Sequence, residues 1–404
     1  MKKALIITFV AILVIITYVV VCKKSPKNDE LVFWTLQMRD FSGYMNDVIS
    51  NFEKENPEIK IKWVDIPFSE GEKRTLASVL SDNPPDLINL NPDFSALLAQ
   101  KGTLYSFSDE ELSQFPNAII NSLKINEKNY LIPWYATSAV TIYNKKLMSG
   151  LNTNPPQNYY ELFKICAKRD KKSKALMAMT LTDGDYALKM LSKAGISLSD
   201  INSDKAENFF GNIQKAYNNS CLSKESITMT HREALEKFMA GETILFEGGS
   251  NFLNLIKENA PETFKNIGIS SQITNDGYNF SMMNFVIPLK SKKRDEALKF
   301  ALYMTNYENQ LELAKLTNVL ATNKKALNSS FYTKVKTGDI FETARLTSAK
   351  QMNNLQHAVF LNNRKDVVTL INNTVQKILL NKDNTSDILK DCQKSLTVLV
   401  RYNL

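Results

Sequence analysis

Pro133 is followed by Trp134 and Tyr135, two large aromatics in succession on a stretch that runs into the alternating segment Ala139 to Tyr143. Neighbouring residues of an extended chain face opposite sides, so the pair is hard to bury on one face and at least one ring is expected on display. A flat aromatic face with a polar rim packs against a sugar ring, whose axial C–H groups form an apolar surface. Asn89 and Asn91 follow the start of a strand at Leu87, and belong at its carboxyl end, where open α/β sheets bind ligands. Their amides donate and accept, which suits neutral hydroxylated molecules; the plainer reading is that they cap the next helix. Glu247-Gly248-Gly249-Ser250 stands between the strand TILF and a helix from Asn251, where free backbone N–H groups bind anions or hydroxyls, although strand-to-helix turns also use glycine for geometry alone.

Catalytic patterns are missing. The chain contains no GxSxG elbow, HExxH helix or Walker loop, and Glu247 is an isolated carboxylate where a glycosidase normally needs two. Its histidines are His231 and His357, and its cysteines Cys22, Cys166, Cys221 and Cys392, with no CxxC and no metal spacing. No metal site, cofactor or catalytic residue is therefore expected. The net charge of +8 is spread along the chain and mixed with acidic residues, which argues against a nucleic-acid partner.

The elements that must position these groups read as alternating strands and helices, the pattern of an α/β fold. In the first part, LVFWTL, IKIKWV and LINL are strands. Met45, Val48, Ile49 and Phe52 mark one helix between them, and Leu76, Val79 and Leu80 another, giving β-α-β-α-β. Asn158 with Glu161 and Thr230 with Glu233 have the spacing of capping boxes, and Gly241 ends the second of these helices. After Pro288 the chain turns helical, with helices near 292–316, 343–361, 364–380 and 386–401. With 404 residues, 44% of them hydrophobic, two lobes are expected.

The amino terminus differs from the rest. Lys2 and Lys3 precede an uncharged apolar run from Ala4 to Val21, then come Cys22, Lys23 and Lys24. As a helix the run would reach roughly 27 Å, short for a bilayer span and long for a cleaved signal core. Cys22 resembles the acylated residue of bacterial lipoproteins, although Val21 stands where that pattern wants a small residue. Lipoprotein signal and transmembrane anchor both remain open, and both place the body outside the cytoplasmic membrane.

Taken in order, FWTL, ISNFEKENPEIKIKW, PPDLINLNP, KGTLYSF, NYLIPWYATSAVTIYNKKL, NPPQNYYELF, FMAGETILFEGG and RDEALKFALYMTNYENQLELAKLTNVLATNKKAL resemble the family 1 extracellular solute-binding proteins of bacterial ABC importers, the group that includes maltose-binding and glycerol-3-phosphate-binding proteins. The resemblance implies the two-lobe, type II periplasmic-binding-protein fold with ligand in the interlobe cleft. It assigns residues 1–22 to the signal or anchor, 23–30 to a tether, 31–134 plus about 280–330 to lobe 1, and 135–279 plus 331–404 to lobe 2. Carried over, the first crossover falls near Pro133 to Ser138. Trp134 and Tyr135 would face the cleft beside Thr137 and Ser138, so that replacing Trp134 should weaken binding. Trp34, Gln37, Asn89 and Asn91 would line the first lobe, Glu247, Gly249 and Ser250 the second, and Asn284 and Asn318 would add polar contacts.

Maltodextrin-specific members carry Trp near Gly249-Ser250 and in the segment matching NNLQHAVF. This chain has neither, which favours a mono- or disaccharide or a glycosylated polyol over a long oligosaccharide. A glycerol phosphate or phosphodiester is the alternative ligand, and an extracytoplasmic carbohydrate-active enzyme or a sensory binding protein are the alternative functions. The implied partners are the permease subunits and the membrane, with the protein itself a monomer.

Overall fold

A computed structural model describes residues 30–170, 172–317, 319–356, 360–361, 363–380 and 384–401. Cys22, the apolar run before it, residues 23–29 of the tether, Asn318 and His357 lie outside the described residues.

The strands are β1 (Leu31–Leu36), β2 (Ile61–Ile66), β3 (Leu87–Leu90), β4 (Ile132–Asn144), β5 (Ala175–Met177), β6 (Thr243–Gly249), β7 (Ile267–Ser270), β8 (Phe280–Val286) and β9 (Leu320–Ala321). They follow the order β2-β1-β3-β8-β4-β6-β5, with β7 and β9 also on β4. β1 pairs in parallel with β2 and β3, as the β-α-β-α-β reading requires. The helix Ser42–Glu55 buries Tyr44, Met45, Val48 and Phe52. In Phe68–Leu80 the buried positions are Gly71, Thr75 and Val79, four apart, so the face is rotated from the expected stripe and Leu80 is 56% exposed.

β4 joins the two halves of the sheet. Ile132 to Ser138 pair antiparallel with β8, whereas Ala139 to Asn144 pair with β6 and β7. The strand thus begins seven residues before Ala139, the expected start. Its register slips between Pro133 and Tyr135, a β-bulge in which Trp134 is the extra residue. The Trp134 carbonyl is satisfied from elsewhere, by the Gln310 side-chain amide at 2.6 Å and the Thr322 hydroxyl at 3.1 Å.

Separate hydrophobic clusters lie on either side of this strand. One joins Leu31, Phe33, Phe52 and Trp134 to Phe285 and Phe300, with Ile88, Leu90 and Val286 in a neighbouring cluster. Another joins Leu162, Leu176, Phe210 and Leu245 to Val367, Ile371 and Leu389 of the carboxyl-terminal helices. The expected helix near 292–316 is two helices, Arg294–Met304 and Tyr307–Thr317. The Thr305 hydroxyl bonds back to the Ala301 carbonyl, and the Asn306 side chain accepts the Asn309 N–H and starts the second. The helix expected to reach 361 spans Ile340–Gln351, and the last two are Arg364–Leu380 and Thr385–Arg401.

Cys166 and Cys221 form a disulfide across a sequence separation of 55, and Cys392 is buried and free. A disulfide suits an oxidising compartment. Thr230 and Glu233 make the complete capping box of the helix His231–Met239, and the Gly241 turn with φ of +70° closes it. Asn158 caps the Glu161 N–H, but the Glu161 carboxylate reaches the Gln157 N–H instead, so that box is incomplete. Thr230→Ala should cost about 1 kcal/mol, seen as a lower urea midpoint at unchanged slope.

Candidate functional site

Two adjoining cavities open where β4 passes from one half of the sheet to the other. The larger one, beside β6 and named the inner cavity, is about 640 Å³ and is lined by Ser138, Asp183, Tyr186, Lys193, His231, Glu247, Gly249 and Gln272. The smaller one, beside the helix Pro92–Gln100 and named the outer cavity, is about 260 Å³ and is lined by Asn91, Asp93, Leu123, Tyr135, Leu188, Met283 and Arg364. Thr137, Asp185, Lys189, Asn279, Phe280 and Ser281 line both. The larger volume alone lies in the range of small-molecule sites, about 300–1,000 Å³.

The polar groups at the crossover are fixed by one another. Ser138 Oγ accepts the side-chain N–H groups of Gln272 at 3.0 Å and Gln351 at 2.9 Å, and the Gln351 amide also donates to the Ala139 carbonyl. Gln272 donates as well to the Asn279 carbonyl at 2.7 Å. Ser138 is the last residue of β4 paired with β8, so this buried network ties both cavity walls to the point where the strand changes partners. Thr137, one residue earlier, is exposed in the cavity. Burial pushes the Tyr135 phenol up to about 12, which keeps it a hydrogen-bond donor at neutral pH.

The cavities carry many charges, and each cation has a carboxylate partner, while Asp183 instead accepts the His231 backbone N–H at 2.9 Å. Lys193 Nζ bonds to Glu247 Oε1, with only 6% and 8% of the two side chains exposed. Lys189 pairs with Asp185 at 3.0 Å, and Arg364 reaches Asp185 at 2.6 Å and Asp93 at 3.3 Å. Burial raises the Asp185 carboxyl, but Lys189 and Arg364 together outweigh it and hold it below its ordinary value. Asp93 is raised, because burial, with the neighbouring Asp185 charge, outweighs the pull of Arg364 and Lys189. His231 packs on Phe246 and Phe252, and burial holds its imidazole below its ordinary value despite Asp183 and Glu247 nearby. It is therefore neutral at pH 7.

The structure brings together Asn91, Tyr135, Thr137, Ser138, Glu247 and Gly249 of the residues expected in the site. Asn91 also has the plainer role: its side chain caps the helix Pro92–Gln100 through the Phe94 N–H. Trp134, expected in the cleft, is fully buried and stacked on Phe285 with ring centroids 4.6 Å apart. The bulge turns it into the core and leaves Tyr135 to line the cavity.

Asn89 and Asn284 are also fully buried, and Asn89 donates to the Asn284 carbonyl across the β3–β8 pair. Trp34 packs in the core edge beneath Arg74, and Gln37 is exposed in a turn with φ of +53°; neither lines either of these two cavities, nor does Ser250. The Gly248-Gly249 pair is not a helix-start anion loop. Both residues lie inside β6, paired with Val140 and Ala139, and a Cβ on Gly248 would fall 2.4 Å from the Phe246 ring.

Sequence reading passed over Asp93, Asp183, Asp185, Lys189, Lys193, His231 and Arg364. The available signal was the Asp183-Gly184-Asp185 turn, which places two carboxylates just before the helix Tyr186–Lys193.

Comparison with known proteins agrees with this architecture. The profile of the family described as bacterial extracellular solute-binding protein matches residues 47–337. The multiple sugar-binding protein of Streptococcus mutans serotype c is 24% identical over 70% of this chain and 74% of its own length. The galactooligosaccharide-binding protein of Bacillus subtilis is 24% identical over 71% of each chain. Among solved structures, a periplasmic-binding protein from Synechococcus sp. MITs9220 superposes with a TM-score of 0.82 at 25% identity, covering 92% of this chain and 98% of the other. The maltose-binding periplasmic protein of Listeria monocytogenes in complex with maltose gives 0.76 at 19% identity, over 93% and 98%. With the two-lobe fold of these solved structures and a family profile matched over residues 47–337, the chain belongs to the bacterial extracellular solute-binding proteins.

Proposed function

We propose that the chain is the extracytoplasmic substrate-binding component of an ABC importer and that it binds a neutral carbohydrate, a mono- or disaccharide or a glycosylated polyol. The observation that carries the ligand class is that, among the described residues, the cleft offers an anion no unpaired cation: Asp93, Asp183, Asp185 and Glu247 face Lys189, Lys193 and Arg364. These lysines and the arginine each have a carboxylate partner, and the histidine is neutral. A phosphate would have to break one of those pairs to gain a charge-assisted bond, whereas hydroxyl groups can bond to them as they stand. Tyr135, Tyr186 and Phe280 offer aromatic rings, and Thr137 and Asn91 a hydroxyl and an amide, while Ser138 holds the surrounding network in place. The sugar-binding relatives support the same class.

Lobe 1 would comprise residues 31–134 with about 280–330, and lobe 2 residues 135–279 with 331–404. A ligand touching both walls shifts the protein toward its closed form by the difference in affinity for the two forms, and the closed form docks on the permease. The apolar amino-terminal run and Cys22 support a lipid or transmembrane tether, which would raise the binder's effective concentration at that permease.

The test is a thermal-shift panel on the full chain in mild detergent, with neutral mono- and disaccharides, sugar alcohols and glycerol 3-phosphate, followed by chromatography of any hit. A saccharide should raise the midpoint by linkage and be recovered unchanged. A shift with glycerol 3-phosphate alone would overturn the neutral-sugar reading, and a consumed hit would overturn the binding-protein reading.

A further inference from the structure

Arg364 stands at the amino end of the helix Arg364–Leu380, whose Val367, Ile371 and Val375 pack in the cluster of Leu162, Leu176 and Leu245. Asp185, at the start of the helix Tyr186–Lys193 in that same cluster, receives Arg364 Nη2 at 2.6 Å and fixes the guanidinium on this wall. Asp93 belongs to the opposite wall. It sits in the first turn of the helix Pro92–Gln100, whose Phe94, Ala96 and Leu98 pack with Ile88, Leu90 and Val286. Arg364 Nε reaches Asp93 Oδ2 at 3.3 Å, so one side chain holds a carboxylate from each wall. Arg364 and Asp93 line the outer cavity and not the inner one.

We propose that Asp93 and Arg364 form a latch across the cleft, which favours the closed arrangement and limits how far a bound saccharide extends out of the inner cavity. The limit rests on the carbohydrate reading above; the latch itself does not. A fork-shaped guanidinium is suited to holding two carboxylates at once. Because 46% of the Asp93 side chain is exposed, the bond to it is the one that water and salt can compete for. The bond to Asp185 holds the arginine in place while that exchange happens. A ligand confined to the inner cavity leaves the latch intact. A longer one that extends into the outer cavity enters the space the latch closes, and gives back part of its own binding.

Hydrogen–deuterium exchange on the full chain in mild detergent, without ligand, reads the latch directly. Asp93→Asn should raise exchange about 3-fold at 183–189 and 280–283, the facing walls, and leave core peptides unchanged. Asp93→Glu, which keeps the charge, should restore protection. Raising salt should have the same effect on the wild type and little further effect on Asp93→Asn. Unchanged exchange in Asp93→Asn, or equal exchange in the Asn and Glu variants, would overturn the latch.

Calorimetric titration with the α-1,4-linked glucose series and the galactosides melibiose, raffinose and stachyose then reads the limit. Asp93→Asn should improve the longer sugars about 3-fold relative to the shorter. A constant ratio would overturn the size limit. If no saccharide bound either protein, the carbohydrate reading would fail, and the exchange result would still decide the latch.

Discussion

Trp134→Ala should lose about 4 kcal/mol of unfolding free energy, read as a lower urea midpoint, before any question of ligand arises. The indole is fully buried, stacked on Phe285 and edge-on to Tyr135 at 5.0 Å, in the cluster that contains Phe33, Phe52 and Phe300. Alanine removes the largest side chain of that cluster and leaves a void that a close-packed sheet and its helices cannot collapse to fill. Trp134→Phe should cost far less, about 1 kcal/mol, because it keeps a ring against Phe285 and deletes an indole N–H that has no partner among the described residues. Tyr135→Ala separates the two neighbours: it should leave the fold nearly intact and weaken saccharide binding. An alanine variant of Trp134 as stable as the wild type would put the indole back in the cleft and Tyr135 out of it.

Trp134 also shows where the sequence stops being informative. Period-two alternation correctly says that consecutive rings on a strand part company, but not which one goes inward. That choice belongs to the bulge, and the bulge is held by Gln310, 176 residues away in the chain, and by Thr322. Local pattern cannot report a contact at that separation. The first three strands and their helices were legible for the opposite reason, because each strand–helix unit buries its own apolar face within a few tens of residues. Where the helical stripe failed, at Leu80, the residue is the last of its helix and the core contact had already been made by Val79.

The site was legible by residue type where a residue stood at a strand end or at the crossover, as Asn91, Thr137, Ser138, Glu247 and Gly249 do. Its ionic half was not. Lys189 and Lys193 are one turn apart on the helix Tyr186–Lys193, and basic residues at that spacing ordinarily mark a solvated face. Here the helix abuts a cavity, so its polar face meets Asp185 and Glu247 rather than bulk water. Arg364 is similarly placed at the start of a surface-like helix, and acquires meaning only once tertiary structure sets it beside Asp93 and Asp185.

Lys193→Met should have an effect as large as that of Trp134→Ala, and on both stability and binding. The pair it makes with Glu247 joins the end of a helix to β6, with both side chains almost excluded from water. At that depth, removing one partner leaves an uncompensated carboxylate, and losses of about 4 kcal/mol are expected where an exposed pair would show less than about 1. Methionine keeps the length of the stem, so the backbone of residue 193, whose carbonyl accepts from the Thr274 hydroxyl and the Asn275 N–H, should hold its place.

The double variant Lys193→Met, Glu247→Gln removes both charges. It should recover more than half of the lost stability while binding stays weak, because the inner cavity has lost the two ionic groups that orient hydroxyls. Urea unfolding of the wild type, both single variants and the double variant closes the cycle. A coupling energy near zero would mean that the two groups are solvated independently. The cleft's cations would then not count as already engaged, and the preference for an uncharged ligand would lose its physical basis.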